Sequence, residues 1–338
     1  MRPAAGDQLF DHSCDALVLN QLFEQTQFGD GELMRPLYDS IIIGGGPAGL
    51  SAALVLGRCI RHALICDDGR YRNARSQALH CYMGHDGIRP KELLERARSQ
   101  LEPYDTISTI RRSVSSIKKD DQVFSVELKT RELVRAKTIL VATGVVDEIP
   151  AIAGIEGLFG KSVHVCPYCD GWEHRDAPVA VYGRGEKGTN FALLLRQWTD
   201  DLVLCTDDEP LSANQKSRLL KRGIELREEA IGLLVQENGV LQAIQFKGGD
   251  ALPRRALFFT TDQHPRSPLL EGLGCAYDEK GGLACDGDGK TNIPGVYVAG
   301  DVSRDVQLAI IAAAEGARAA LAVNRYLLDE ELKAYGPA

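Results

Sequence analysis

No stretch of about 20 apolar residues occurs in the chain, so no helix of this sequence is expected to span a bilayer. A basic segment followed by an apolar one is missing from the N-terminus. Asp7, Asp11, Asp15 and Glu24 interrupt it, which argues against a secretory leader. Lys and Arg number 39 against 47 Asp and Glu, a formal net charge of −8, and no basic cluster overrides that balance. A polyanionic nucleic acid is therefore not an expected partner, and neither is a membrane. Aromatics are scarce, at 6%. Nine cysteines in 338 residues are too few and too scattered for a disulfide scaffold. An odd count without a leader reads as reduced, cytoplasmic thiols plus one special pair.

The length suits about two domains, and 44% hydrophobic residues suffice for a core in each. With 34 Gly the composition fits tight βα turns and buried parallel strands. Residues 1–37 read as an extension. Within it Asp11 or Ser13 could cap a short helix over Asp15–Gln25, and Met34 would suit a start of the core chain.

Residues 38–67 form the clearest unit. A β-branched run, Asp39–Ile43, leads into Gly44-Gly45-Gly46-Pro47-Ala48-Gly49. A helical stretch, Leu50–Gly57, and a second apolar run, Ala63–Cys66, follow and end at Asp67. In such a strand–turn–helix the first Gly allows the tight turn. The second lets the backbone approach a pyrophosphate, and the third lets helix and strand pack closely. The helix N-terminus offers free N–H groups and a positive dipole to phosphates. Asp67 is placed to accept a hydrogen bond from a ribose hydroxyl. Residues 178–208 repeat the pattern: strand Pro178–Tyr182, then Gly183-x-Gly185-x-x-Gly188, a helix over Asn190–Trp198, and strand Leu202–Cys205 ending at Asp207 and Asp208. Arg89-Pro90 opens a further helix, with Pro at its first position. Residues 107–140 and 231–260 alternate apolar and polar, as antiparallel strands do. Thr138–Gly144 and Ile293–Asp301 each read as a buried strand running into a turn, the first through Ala142 and the second through Gly300. Gln307–Tyr326 reads as a long helix entered through Leu308.

Cys166-Pro167-Tyr168-Cys169 places two sulfurs on one turn, where they can oxidise without moving the backbone. A helix start lowers a thiol pKa and so raises the population of the reactive thiolate. Zinc would need two more ligands, normally from a second C-x-x-C that the chain lacks. A glutaredoxin-like motif and an inert core pair are the other readings. His164 and His174 flank the pair, as catalytic bases or as ordinary hydrogen-bonded histidines.

The Gly44–Gly49 turn, Ala142-Thr-Gly144, Cys166-x-x-Cys169-Asp170, an inserted second fold, and Val298-Ala-Gly-Asp301 with Gln307 occur in that order. Over about residues 37–330 the chain resembles the low-molecular-weight thioredoxin reductases. The resemblance implies an α/β architecture of two Rossmann-like dinucleotide-binding domains, the second inserted into the first, each with a small antiparallel β element. It implies an FAD-binding domain from 38–148 and 263–330, an inserted pyridine-nucleotide-like domain over 149–262, a tail at 331–338, and a homodimer. It further implies that Asp301 meets the ribityl chain of FAD and that the backbone at Gln307–Ala309 points a helix N-terminus at the flavin. Cys169 would lie beside the flavin, Cys166 would attack the substrate disulfide, and Asp170 would act as the acid. The implied activity is thiol–disulfide exchange with a thioredoxin-like protein or a small disulfide. Gly171-Trp172-Glu173 is similar to a subgroup that includes oxygen-dependent oxidases of small dithiols, an alternative activity; a flavin redox sensor without catalysis is another. NADPH-specific members carry a His-Arg-Arg cluster where this chain has Cys205-Thr206-Asp207-Asp208. Two carboxylates repel a 2′-phosphate, so NADH, another dinucleotide or none are the expectations for the middle fold.

Overall fold

The structure is a computed structural model that describes residues 36–279, 281–303 and 306–334; the helix expected over Asp15–Gln25 lies outside them. The elements run β1 (Leu37–Ile43), α1 (Pro47–Arg58), β2 (Ala63–Cys66), α2 (Pro90–Ser99), β3 (Ile107–Ile110), β4 (Val114–Asp120), β5 (Val123–Leu128), β6 (Leu133–Val141) and β7 (Val145–Asp147). Next come α3 (Ile155–Leu158), β8 (Val163–His164), α4 (Pro167–Asp170), β9 (Val179–Tyr182), α5 (Gly185–Leu195), β10 (Leu202–Cys205), α6 (Ala213–Leu220) and β11 (Glu225–Arg227). The chain finishes with β12 (Ile231–Glu237), β13 (Val240–Phe246), β14 (Ala251–Pro253), β15 (Ala256–Phe259), β16 (Gln263–Pro265), β17 (Val296–Val298) and α7 (Ala309–Ala334).

The first sheet has the parallel order β3-β2-β1-β6, with β17 added beside the second half of β6. The nine residues of β6 serve two sheets' worth of partners. Leu133–Ala136 pairs antiparallel with β5, whereas Ile139–Val141 pairs parallel with β17. Ile41–Ile43 of β1 and all of β2 are apolar because both faces of the sheet are covered: α1, α2 and α7 pack on one, and β4, β5 and the segment holding Leu269, Leu270, Cys275 and Leu283 pack on the other. α1 and α7 lie together on one face and share a core of Ala48, Ala52, Ala312, Ala319 and Val323. A second parallel sheet, β11-β10-β9-β15-β8, stands beside a three-stranded antiparallel sheet, β12-β13-β14. β7 and β16 pair antiparallel at the two points where the chain passes between the sheets.

Several expectations are corrected. Ile107–Ile110 is not antiparallel but joins β2 in parallel. It alternates because it is the outer strand of its sheet and is only half covered. Ala256–Phe259 is likewise a parallel strand, fully buried between β9 and β8. α1 starts at Pro47 rather than Leu50, with Gly46 as its N-cap and Pro47 at its first position. α5 covers Gly185–Leu195 rather than Asn190–Trp198, so the Gly-rich turn forms its first turn. The strand expected over Ile293–Asp301 shrinks to Val296–Val298, and Asp301–Ser303 is a 3-10 turn. α7 starts at Ala309 rather than Gln307 and runs through Ala334 rather than ending at Tyr326.

Candidate functional site

The C-terminal ends of the first sheet, the first turns of α1 and α7, and the short α4 surround one cavity of about 800 Å³. That volume lies in the range of cofactor and ligand sites. Gly44, Gly46, Ala48, Asp67, Ala142, Gly300, Asp301, Gln307 and Leu308 line it, as do Cys166, Cys169 and Asp170. Gly49 sits just behind, in the first turn of α1. The structure therefore brings the residues of the first motif, the last motif and the cysteine pair to one place. Gly183, Gly185 and Gly188 lie elsewhere, at the β9–α5 turn of the second parallel sheet.

The cavity walls fit FAD on three observations. A Cβ built on Gly46 meets nothing within 4 Å, which leaves open space at the N-terminus of α1 where a pyrophosphate would collect backbone N–H groups. The hydroxyl of Thr143, buried in the wall, has no hydrogen-bond partner among the described residues. A second helix, α7, is entered through Val306, Gln307 and Leu308 at the same cavity, so the free N–H groups of its first turn face it.

Asp67 ends β2 and is 7% exposed. Its carboxylate accepts from the Gly69 amide at 3.0 Å and from Arg98 at 3.2 Å, and Tyr71 donates its hydroxyl to it. Burial, with the Asp67 carboxylate beside it, pushes the Tyr71 phenol well above its ordinary value. Sequence reasoning missed Arg72. Its guanidinium makes a two-pronged contact with Asp147, at 2.7 and 2.8 Å, and reaches Asp301 at 2.8 Å and Gln307 at 2.7 Å. Burial alone would lower the pKa of Arg72; Asp147 and Asp301 overcome that and hold it raised. Gln263 joins the same network, its side-chain amide donating to Asp147 at 2.7 Å and to Gln307 at 3.0 Å. Arg72 thus ties the loop after β2 to β7 and to the segment that enters α7, and Gln263 of β16 reaches the same network through Asp147 and Gln307. No periodic pattern marks that loop, so nothing in the sequence singles Arg72 out.

Cys166 and Cys169 are disulfide-bonded, with Cα atoms 5.3 Å apart. Cys166 caps α4, its sulfur accepting from the Cys169 amide at 3.1 Å. The motif is short because Pro167 fixes the first helical position while Gly171, at the C-cap, packs against Trp198. Cys81, exposed, contacts the Tyr168 carbonyl at 3.4 Å. Burial pushes the Cys66 and Cys205 thiols up to about 12, far from the reactive range. Among the described residues no group of three or more His, Cys, Asp or Glu side chains could hold a metal ion. No helix among them is long and apolar enough to cross a membrane.

In the second fold Asp207 is already engaged. It accepts from Tyr182 at 3.0 Å, from Arg184 at 2.9 Å and from the Ile231 amide at 3.0 Å. Asp208 accepts from the Ala230 amide at 3.1 Å. Both residues have positive φ, 55° and 66°, in the turn that follows β10 and leads toward α6, and their carboxylates hold the start of β12 across from it. Lys187 donates to Asp262 at 2.7 Å, and Glu186 pairs with Arg218. The charges that looked loose in sequence are mutually paired.

Comparison with known proteins matches this arrangement. The model of the family described as pyridine nucleotide-disulphide oxidoreductase matches residues 38–316. A protein of Arthroderma benhamiae named “Probable thioredoxin reductase” is 31% identical over 333 residues, covering 88% of this chain and 82% of that protein. Among solved structures, HlmI superposes with a TM-score of 0.86 at 34% identity, covering 88% of this chain and 95% of that one. TrxB of Bacillus anthracis superposes with a TM-score of 0.83 at 32% identity, covering 87% of this chain and 99% of that one. The chain belongs to the pyridine nucleotide-disulphide oxidoreductase family, in its thioredoxin reductase-like branch, and is an FAD-dependent thiol–disulfide oxidoreductase.

Proposed function

We propose that the Cys166–Cys169 pair is the conduit through which electrons pass between FAD and a substrate disulfide or dithiol. The observation that carries this reading is that the pair and the first turns of α1 and α7 line one cavity. Gly44, Gly46 and Gly49 shape the turn that would hold the pyrophosphate of FAD, Asp67 would hold the adenosine ribose, and Ala142, Gly300 and Asp301 would hold the ribityl chain. The amides after Gln307 and Leu308 stabilise negative charge at the ring edge. FAD, when bound, accepts or supplies the electron pair. Cys169 takes the position beside it, Cys166 attacks the substrate sulfur, and Asp170 handles the proton. The unit between residues 149 and 262 carries the nucleotide-like turn at Gly183, Gly185 and Gly188.

The partner in this reading is a thioredoxin-like protein or a small disulfide, in a cytoplasmic homodimer. Support comes from the relative named as a thioredoxin reductase and from the exposed Tyr168 and Trp172 beside the pair. Asp207 and Asp208 stand where a 2′-phosphate would need cations, and Arg184, 2.9 Å from Asp207, is already held by that carboxylate. Anaerobic mixing of the flavin-loaded protein with NADH, NADPH or a dithiol tests the reading. The expectation is flavin reduction by dithiol, slower reduction by NADPH than by NADH, and consumption of a disulfide acceptor. Oxygen uptake with dithiol and no use of any disulfide acceptor would replace the reductase reading with that of a dithiol oxidase.

A further inference from the structure

The cavity that holds the cysteine pair is joined to a second cavity by three side chains in a row. His164, at the end of β8, is 5% exposed and lines the cysteine cavity. Its Nδ1 lies 3.2 Å from an Asp170 carboxylate oxygen and its Nε2 lies 3.0 Å from Nε2 of His174. Phe258 packs against both imidazoles, at ring separations of 5.2 and 6.0 Å, and keeps water from their sides. His174 lines the second cavity, about 480 Å³, together with Lys161, Glu173, Asn238 and Arg255. The groups that face this row are Asp170 from α4, Arg255 ahead of β15, and Lys161 and Glu173 at the cavity wall.

We propose that Asp170, His164 and His174 form a proton relay between the Cys166–Cys169 pair and the second cavity, so that protons travel separately from substrate. The inference rests on the reading of the pair given above; His164 and His174 act through Asp170 and are positioning residues. With Asp170 ionised, one tautomer set fills both contacts. His164 carries its proton on Nδ1 and donates to Asp170, while His174 carries its proton on Nε2 and donates to His164. A proton taken up at His174 Nδ1 passes its Nε2 proton to His164 and the His164 Nδ1 proton to Asp170. Removal of a proton at the cavity reverses every transfer.

The exchange half-reaction uses one passage each way. The Cys166 thiolate attacks the substrate disulfide, breaking its S–S bond and forming a mixed disulfide; the departing substrate thiolate takes the proton delivered to Asp170. The Cys169 thiol then gives its proton to Asp170, and its sulfur displaces the second substrate thiolate, which is protonated by solvent on release. Cys166 and Cys169 are oxidised by two electrons and the substrate is reduced by two. The proton on Asp170 leaves through His164 and His174 to the second cavity, which restores the starting tautomers.

The test uses dithiol-reduced, flavin-loaded protein with two disulfide probes. Hydroxyethyl disulfide releases a thiolate that needs a proton; 5,5′-dithiobis(2-nitrobenzoate) releases one that does not. His174→Ala is expected to slow exchange with hydroxyethyl disulfide by about tenfold or more, within the range of general acid–base effects. Exchange with the aryl probe should stay within about threefold, and added imidazole, for which the second cavity has room, should restore the lost rate. His164→Asn should show the same split without imidazole rescue. Histidine side-chain ¹⁵N spectra of the oxidised protein should place the protons on Nδ1 of His164 and Nε2 of His174. Equal loss with both probes and no rescue, or no loss with either, would overturn the relay and leave a structural tether. Undiminished exchange by Cys169→Ser would overturn the reading of the pair beneath it.

Discussion

A thiolate is the reactive form of cysteine, and burial separates the cysteines of this chain by how readily they reach it. Cys66 and Cys205 lie inside their parallel sheets, and the lack of solvation holds both near pKa 12. Burial also raises Cys275. None of the three should label with iodoacetamide at neutral pH in the native protein, whereas Cys166 and Cys169 should label after reduction by a dithiol. Mass spectrometry of the labelled peptides checks this, and Cys275→Ser should leave activity within about twofold. His174 gives a pH prediction. Burial, with His164 beside it, lowers its pKa from 6.5 to about 4. The unfolded chain binds this proton below pH 6.5 and the folded one only below about 4, so stability is full above 6.5 and falls as the pH drops toward 4. Urea midpoints of the wild type should decline over that window more steeply than those of His174→Gln. Equal slopes would contradict the assignment.

At the scale of elements, the packing of α1 on α7 fixes the cavity floor. A Cβ at Gly316 would stand 2.0 Å from the Ala48 carbonyl oxygen, so the two helices touch backbone to backbone. Gly316→Ala forces them apart, at about 1–3 kcal/mol or more, and moves the first turn of α1. The expected result is a melting temperature lower by several degrees and faster loss of flavin on dilution. Gly272→Ala, where a Cβ meets nothing within 4 Å, should stay within about 0.5 kcal/mol of wild type. The β1–turn–α1 unit was legible in sequence because a β-branched run, fixed glycines and an Ala-rich helix all agree within 30 residues. Helix starts were misplaced because the glycine turns at Gly46 and Gly185 are themselves capping and first-turn residues. β3 and β15 were misread for opposite reasons. The first is a half-exposed edge that alternates like a hairpin strand, and the second is a four-residue apolar run whose partners, β9 and β8, lie far back in the chain.

At the scale of the whole molecule, the site joins segments that the chain separates by more than 200 residues, and only some of them carried a signal. Asp301 and Gln307 could be named from the resemblance to the thioredoxin reductases, which rests on Val298-Ala-Gly-Asp301 and the helix that follows. Arg72, which bridges them to Asp147, sits in a loop without periodicity and became visible only when the segments met. The contact of His164 with His174 was equally hidden, since two histidines ten residues apart face each other only because α4 and the turn after it fold back on β8. Charge in the second fold was legible but its use was not. Asp207 and Asp208 turn out to anchor the entry to β12. A like-charge contact near 4 Å costs on the order of 1–4 kcal/mol, about ten- to several-hundred-fold in affinity. Flavin reduction should accordingly require a much higher concentration of NADPH than of NADH. Asp207→Arg should narrow that gap, and stopped-flow reduction with each nucleotide measures it.

The central claim is that electrons pass between flavin and substrate only through Cys166 and Cys169. Anaerobic flavin absorbance after mixing with a dithiol tests it most directly, in the wild type and in Cys166→Ser and Cys169→Ser proteins that retain flavin. The account predicts rapid bleaching in the wild type and a loss of about a hundredfold or more in both variants, the scale of covalent and acid–base contributions removed together. Bleaching of the Cys169→Ser flavin at the wild-type rate would contradict it.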